Sequence, residues 1–249
     1  FEEATCAIFN EGTVTINGTK SFVTNGDNAD YLLVVARDAE PVDPKLWASM
    51  WFVPVNAKGV STSPMNKIGW KDKGNMCEVH FDNVVVDKSA LVGKRGQGFL
   101  QLMKNFEVER LTICAANVGM ARCAYDEAVR YAGVREQFGK TIGSFQLIQE
   151  KIVDMKIKIE NMQNMLYKTA WKKMNGESIM IDSSLVKRYT GQAAFEVIDD
   201  AMQIMGGIGY THDCRISRLW RDQRVYRIMA GTEEIMVHTA GRALIKEAQ

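Results

Sequence analysis

The sequence predicts an α+β chain, mainly α, in which a partial antiparallel β-barrel or sandwich is followed by a four-helix bundle. Three observations carry this reading. All four prolines (Pro41, Pro44, Pro54, Pro64) fall in the first 64 residues, so the rest of the chain lacks the strongest helix breaker. Up to about residue 92 the apolar residues alternate or cluster in short β-branched runs, and from Gly98 onward they recur with a helical period. The helical tracts are long and separated by short loops, the proportions of an antiparallel bundle.

In chain order, Thr13-Val14-Thr15-Ile16 alternates as a half-buried strand does. Tyr31 to Ala36 is a buried-type run, and Met50 to Val55 and Glu78 to Val86 are rich in β-branched and aromatic residues. Asn17-Gly18 and Asn25-Gly26 are turn signals, the first a hairpin candidate. Four helices are expected near 97–134, 144–175, 178–205 and 232–247. Gly143-Ser144, Glu177-Ser178 and Gly231-Thr232 are the expected breaks, with Ser or Thr capping each following helix.

Composition excludes several classes. The chain has 249 residues, 46% hydrophobic and 24% charged, with net charge +1, so no electrostatic argument favours nucleic acid or an anionic membrane. Its longest apolar runs, such as Leu32 to Ala36, are far too short to span a bilayer. Five scattered cysteines without a Cys-x-x-Cys pair read as small buried residues in a reducing compartment. His80, His212 and His238 lie too far apart in sequence for a zinc-binding spacing, so no metal is expected. The chain opens at Phe1, not Met, directly into strand-like sequence, and is expected to be a piece of something longer.

Two stretches suggest chemistry. Arg135-Glu136-Gln137-Phe138-Gly139-Lys140 and Gln203-Ile204-Met205-Gly206-Gly207-Ile208-Gly209-Tyr210 each join a helical tract to glycines beside polar or cationic residues. Glycine lets backbone approach a ligand closely, and arginine matches phosphate bidentately. Neither ends in the Gly-Lys-Ser/Thr of a Walker loop. Taken singly, either is more often a plain helix end.

The first long helix carries a third signal. Leu102, Phe106, Glu109, Ile113, Ala116 and Met120 follow 4-3-4-3-4 spacing, so Glu109 interrupts an apolar stripe. A carboxylate there is costly unless paired, with Arg110 or Arg135 for example, or functional. Periodicity does not separate it from Glu107, whose neighbours Met103, Leu111 and Cys114 are also apolar.

Together these features resemble the acyl-CoA dehydrogenases. Phe22-Val23-Thr24-Asn25-Gly26 is similar to the flavin segment of the family's middle β domain. Arg135-x-x-Phe138-Gly139-Lys140-x-Ile142 with Phe145-Gln146, and Gln203 to Tyr210, resemble its two segments for the flavin diphosphate. Arg221-Asp222 and Ala230-Gly231-Thr232-Glu233-Glu234-Ile235 match its terminal active-site loop. The resemblance implies a partial middle domain at 1–92 and a C-terminal helical domain at 93–249. The family's N-terminal helical domain and its Thr-Glu-Pro-Gly-Ala-Gly-Ser-Asp-like loop are then expected to lie before this chain's first residue.

What the resemblance implies for the site is specific. In many relatives a glutamate precedes the Gly-Thr pair and acts as the base, whereas here that position is Ala230. A subset that includes isovaleryl-CoA dehydrogenase has a small residue there and carries its glutamate on the first bundle helix, directly before an arginine. Glu109-Arg110 fits that subset, so the resemblance selects Glu109 over Glu107 as the catalytic base, with Arg110 orienting it or the substrate. Ala230 keeps its backbone N–H for the thioester carbonyl, and Gly231 lets substrate pass close. FAD is the implied cofactor. Phe22, Val23 and Thr24 would contact it, Arg135 would hold its diphosphate, and Phe138 would pack near it. Gln146, Gln203, Gly206 and Gly207 would line its ADP portion, contributed from a neighbouring subunit. Thr232 and Glu234 would sit on the flavin side, although some relatives have an amide at the latter position. Further similarity to members related to crotonobetainyl-CoA reductase leaves the direction open between acyl-CoA dehydrogenation and 2-enoyl-CoA reduction. An electron-transferring flavoprotein partner, a homotetramer, fatty acid metabolism and a bacterial cytoplasmic location are implied as well. The alternative motivated by Ala230 is a non-catalytic flavin- or acyl-CoA-binding family member, or assembly subunit.

Overall fold

The computed structural model describes residues 5–70 and 76–248; Phe1, where the chain opens, lies outside them. The chain forms two compact units, Phe1–Asn105 and Phe106–Gln249.

The first unit is built on a six-stranded sheet: β1 (Cys6–Phe9), β2 (Thr13–Thr24), β3 (Tyr31–Asp38), β4 (Ala48–Pro54), β5 (Val60–Pro64) and β6 (Met76–Asp87), in spatial order β4-β3-β1-β2-β6-β5. Four of the expected strands are present, and β1 and β5 are additional. The sheet is mixed because β1 pairs parallel to β3, while its other pairings are antiparallel. It stays open between β4 and β5, and no closed barrel is found among the described residues. Inward residues Val14, Ile16, Val34, Trp51, Val53, Val79, Phe81 and Val84 form its core.

Asn17-Gly18 is not a hairpin turn. It lies inside β2, where Asp82 and Asn83 of β6 together face Asn17 in a bulge. The Asn83 amide donates to Asn17 Oδ1 at 2.7 Å, and Asn83 takes the left-handed conformation (φ 49°). The bulge changes which β6 side chains face inward, from Cys77, Val79 and Phe81 to Val84 and Val86. Gly18 is needed because a Cβ there would stand 2.6 Å from Thr5 Cα. Asn25-Gly26 is a turn as read, with Asn25 at φ 59°.

The second unit is helical. After α1 (Gly98–Val134) come a two-strand hairpin of β7 (Glu136–Gln137) and β8 (Lys140–Thr141), then α2 (Gln146–Met174), α3 (Met180–Met205), α4 (Arg215–Gln223) and α5 (Glu233–Glu247). The four long helices are those the periodicity predicts. Helix α4 was not anticipated: its nine residues include three arginines and bury only Ile216, Ser217 and Gln223. Helix α3 packs against α2, α4 and α5. The core joins Ala121, Ala124 and Ala128 of α1 to Met155, Ile159 and Met162 of α2 and Ala194, Val197 and Ile198 of α3.

Two sequence expectations need correction here. Of the three expected caps only Thr232 caps its helix, its hydroxyl accepting from Ile235 N–H at 3.3 Å; α2 and α3 are preceded by Phe145 and Ile179 without a side-chain cap. Ser144 instead turns its hydroxyl onto Thr141 O at 2.7 Å within a short 3-10 turn. The buried stripe of α1 also runs one position away from the expected one, through Arg110, Ile113, Cys114, Asn117, Val118 and Ala121. Ala116 and Met120 are half-buried, and Glu109 sits on the stripe's edge. A polar side chain with burial partners can occupy the deep row, so hydropathy alone misplaced its centre.

Candidate active site

The terminal loop is tied by several side-chain hydrogen bonds. A 3-10 turn, Arg224–Arg227, follows α4, and Ala230 and Gly231 then take left-handed conformations (φ 52° and 92°) before Thr232 opens α5. Ala230 pays a steric penalty of about 1 kcal/mol for that conformation, so the surroundings must hold it. They do so with buried charge. Lys187, on α3 and 0% exposed, donates to Gly231 O at 2.6 Å and to Tyr226 O at 3.3 Å. Glu233, in the first turn of α5, accepts from Arg227 Nε at 2.8 Å, Arg227 Nη2 at 2.9 Å and Arg188 Nη1 at 3.0 Å. Burial pushes the Lys187 ammonium down to about 8, opposed by Cys114 and Glu233. Burial also pushes the neighbouring Cys114 thiol up to about 11.

Arg110 belongs to the same cluster. It is 7% exposed, and its Nη2 lies 3.8 Å from the point where a Cβ on Gly231 would stand. Its Nε is buried without a hydrogen-bond partner among the described residues. Burial draws its pKa down while Glu107 and Glu109 act in the opposite sense. The two glutamates differ in their engagement. Glu107 pairs with Lys173 of α2 at 3.4 Å, whereas Glu109 is half-buried and makes no ion pair among the described residues. Neither the Arg110 nor the Arg135 ion pair considered for Glu109 forms.

The glycine-bearing segments are built differently. Residues 136–141 form a two-residue hairpin with Phe138 (φ 52°) and Gly139 (φ 78°) at its corners, the double positive φ that a type I′ turn requires. Phe138 is 92% exposed, and its ring stands T-shaped to Phe145 at 6.2 Å between ring centres. Arg135 at the hairpin's base and Gln146, the first residue of α2, are exposed. Gln203 lies exposed in the last turn of α3, and Gly206 (φ 61°) ends that helix by donating to Gln203 O and Met202 O. Gly207 needs no special backbone angle, and a Cβ added to it would meet nothing within 4 Å. In the first unit, Phe22 is exposed at φ 59° beside an irregularity of β2, and Val23 O accepts from Cys77 Sγ at 3.6 Å. Thr24 closes that strand, exposed. Glu234 is exposed on α5, its carboxyl held below the usual range by its own amide and the Thr232 hydroxyl.

The structure therefore brings Arg110, Ala230, Gly231 and Thr232 into one cluster, and Phe138 and Gln146 into another. Lys187, Glu233, Arg227 and Arg188 were missed. Lys187 had a readable signal, since it interrupts the row Ser183, Thr190, Ala194 and Val197 as Glu109 was thought to interrupt its own. Among the described residues no three His, Cys, Asp or Glu side chains gather as metal ligands, and no helix is long and apolar enough to cross a membrane.

A family model for the acyl-CoA dehydrogenase C-terminal domain matches residues 96–245, and one for the acyl-CoA dehydrogenase middle domain matches residues 2–84. The chain belongs to the acyl-CoA dehydrogenase family. It is 49% identical over 238 residues to the probable acyl-CoA dehydrogenase YdiO of Escherichia coli strain K12, covering 96% of this chain and 62% of that protein. An acyl-CoA dehydrogenase structure from Slackia heliotrinireducens matches with TM-score 0.89 at 38% identity, covering 98% of this chain and 64% of that one. Butyryl-CoA dehydrogenase from Megasphaera elsdenii matches with TM-score 0.92 at 32% identity, covering 98% and 63%. This acyl-CoA dehydrogenase chain thus spans less than two thirds of each relative's length.

Proposed function

We propose that the complete protein is an FAD-dependent oxidoreductase that interconverts acyl-CoA and 2-enoyl-CoA thioesters, with Glu109 as the catalytic base. One observation carries this reading. The terminal loop offers no carboxylate at Ala230, while the unpaired, half-buried Glu109 adjoins an arginine whose guanidinium lies against Gly231. Glu107 is the weaker candidate because Lys173 already engages it.

The α-proton of a thioester is weakly acidic, so its removal needs a positioned carboxylate and a donor for the developing enolate oxygen. Glu109 takes that proton in the dehydrogenation direction and returns it in the reductive one. The Ala230 N–H, which donates to no backbone carbonyl among the described residues, donates to the thioester oxygen. Arg110 adds its positive charge to the potential around the oxygen.

The residues present fit FAD. Arg135 offers an exposed guanidinium for the diphosphate, and Gly207 leaves open backbone that no packing within the chain requires. Gln146, Gln203 and Gly206 would border the ADP portion and Phe138 would cover it. Thr232, Glu234 and the Phe22–Thr24 segment would meet the flavin end. When bound, FAD supplies the acceptor for the β-hydride. An electron-transferring flavoprotein is the proposed partner and a homotetramer the proposed assembly, with the domain division at 92/93.

The test is Glu109→Gln in the complete protein. Flavin content is expected to match wild type while exchange of the substrate α-proton falls by about 100-fold or more. Undiminished exchange would remove Glu109 from the mechanism. A second reading, a non-catalytic acyl-CoA-binding subunit, draws on Ala230 alone. Anaerobic titration with short acyl-CoA thioesters separates the two, because a binding subunit shifts the flavin spectrum without bleaching it.

A further inference from the structure

A lysine with no solvent exposure is an expensive residue, because its charged form loses hydration that carbonyl oxygens only partly replace. Lys187 bears that cost beside a second buried cation, Arg110, which works against it. Its location shows what it does. The single Nζ donates to Tyr226 O, in the 3-10 turn that leads into the loop, and to Gly231 O, immediately before the helix cap. Between those two ties run Arg227, Ile228, Met229 and Ala230, and the Ala230 backbone is in the left-handed region. Ile228 N–H and Met229 N–H both return to Val225 O, at 2.8 and 2.9 Å, and among the described residues the Ala230 N–H donates to no backbone carbonyl. Its orientation therefore depends on the segments on either side, and Lys187 grips both.

We propose that Lys187 is a positioning residue that sets the direction of the Ala230 N–H and so the affinity for the thioester oxygen. The inference rests on the reading above in which that amide donates to the carbonyl oxygen. Lys187 itself, reaching the loop through two backbone oxygens, touches no substrate. Glu233 supports the same geometry from the α5 side, where Arg227, inside the tied segment, grips its carboxylate with two nitrogens. The loop is thus held by a buried cation at its backbone and a buried anion at the start of α5.

The experiment is calorimetric titration of the complete, flavin-loaded protein with two CoA ligands of equal chain length. One is a 3-oxoacyl-CoA thioester, whose enolate shares its negative charge between the thioester oxygen and the 3-oxo oxygen; the other is an S-alkyl-CoA thioether, which has no carbonyl. Wild type is expected to prefer the thioester. In Lys187→Met, which keeps most of the stem volume, thioester affinity is expected to fall tenfold or more while thioether affinity changes less than twofold. A purely structural role would lower both together, and that result, or an unchanged preference, overturns the inference. Lys187→Gln retains an amide donor on a shorter stem and should lose an intermediate part of the preference, so it serves if the Met variant does not fold. Equal losses for both ligands in Lys187→Gln likewise overturn it. A wild type that binds the two ligands alike overturns the carbonyl reading itself, and the inference with it.

Discussion

The terminal loop and the glycine-bearing segments sit in the same helical unit and are built on opposite principles. Around Ala230 and Gly231, three charged side chains (Arg110, Lys187 and Glu233) are withdrawn from water, Arg227 is partly buried, and the loop's backbone is tied at both ends. At Phe138 and Gly207 the chain presents an aromatic ring and bare backbone to the outside, with almost nothing of its own against them. Charge burial is costly and survives only where partners over-determine the geometry, so the first region is rigid by construction. The second buries little, and among the described residues nothing stands within 4 Å of a Cβ added at Gly207.

Breaking the clamp should have the largest effect. Glu233→Ala strands Arg227 and Arg188, and because both arginines are partly exposed the loss should fall below the usual range for a broken buried pair, at about 2–3 kcal/mol. Denaturant titration of the helical unit measures it, and a loss under half that size would mean the pairs do not tie the loop.

A smaller effect comes from pH. Lys187 titrates near 8 in the fold against 10.5 for its ordinary value, so between those values the unfolded chain binds the extra proton and stability rises with pH. Cys114, raised from 9.0 to about 11, acts with the opposite sign above 9, so the clean window is pH 8 to 9. Cys114 and Arg110 on α1, with Glu233 and Glu234 on α5, are the groups that face Lys187. The expected gain across that window is about 1 kcal/mol, absent in Lys187→Met; parallel pH curves for the two proteins would contradict the buried charge.

The smallest stability effect should come from the exposed side of the comparison. Gly207→Ala adds a methyl into open space at an ordinary backbone angle, so unfolding should change by no more than about 0.5 kcal/mol. If that backbone approaches a diphosphate, flavin retention by the complete protein should nonetheless drop. Unimpaired flavin content after gel filtration would mean Gly207 is no part of the site.

The fold was legible where a single period governs a long tract. The four long helices follow from 3.6-residue spacing in a proline-free region, and β2, β3, β4 and β6 from alternation and β-branched runs. Helix α4 was not legible because its arginines mask a short apolar row. Asn17-Gly18 misled because the same dipeptide that suits a hairpin also suits a bulge, and only the pairing of β2 with β6 distinguishes them. In the site, Glu109 was singled out as an apolar-stripe interruption, yet the residues that interrupt deep rows are Arg110 and Lys187.

Spacing and proline placement were enough to determine the class of the chain, and its motifs already resembled the family, because each depends on local periodicity or on residues a few positions apart. Which charges share a buried space was decided by tertiary packing. Lys187 and Gly231 lie 44 residues apart, and only the packing of α3 beside the terminal loop and α5 brings that ammonium within 2.6 Å of that carbonyl. An ion's cost or benefit depends on its surroundings in three dimensions, so no one-dimensional pattern could assign it.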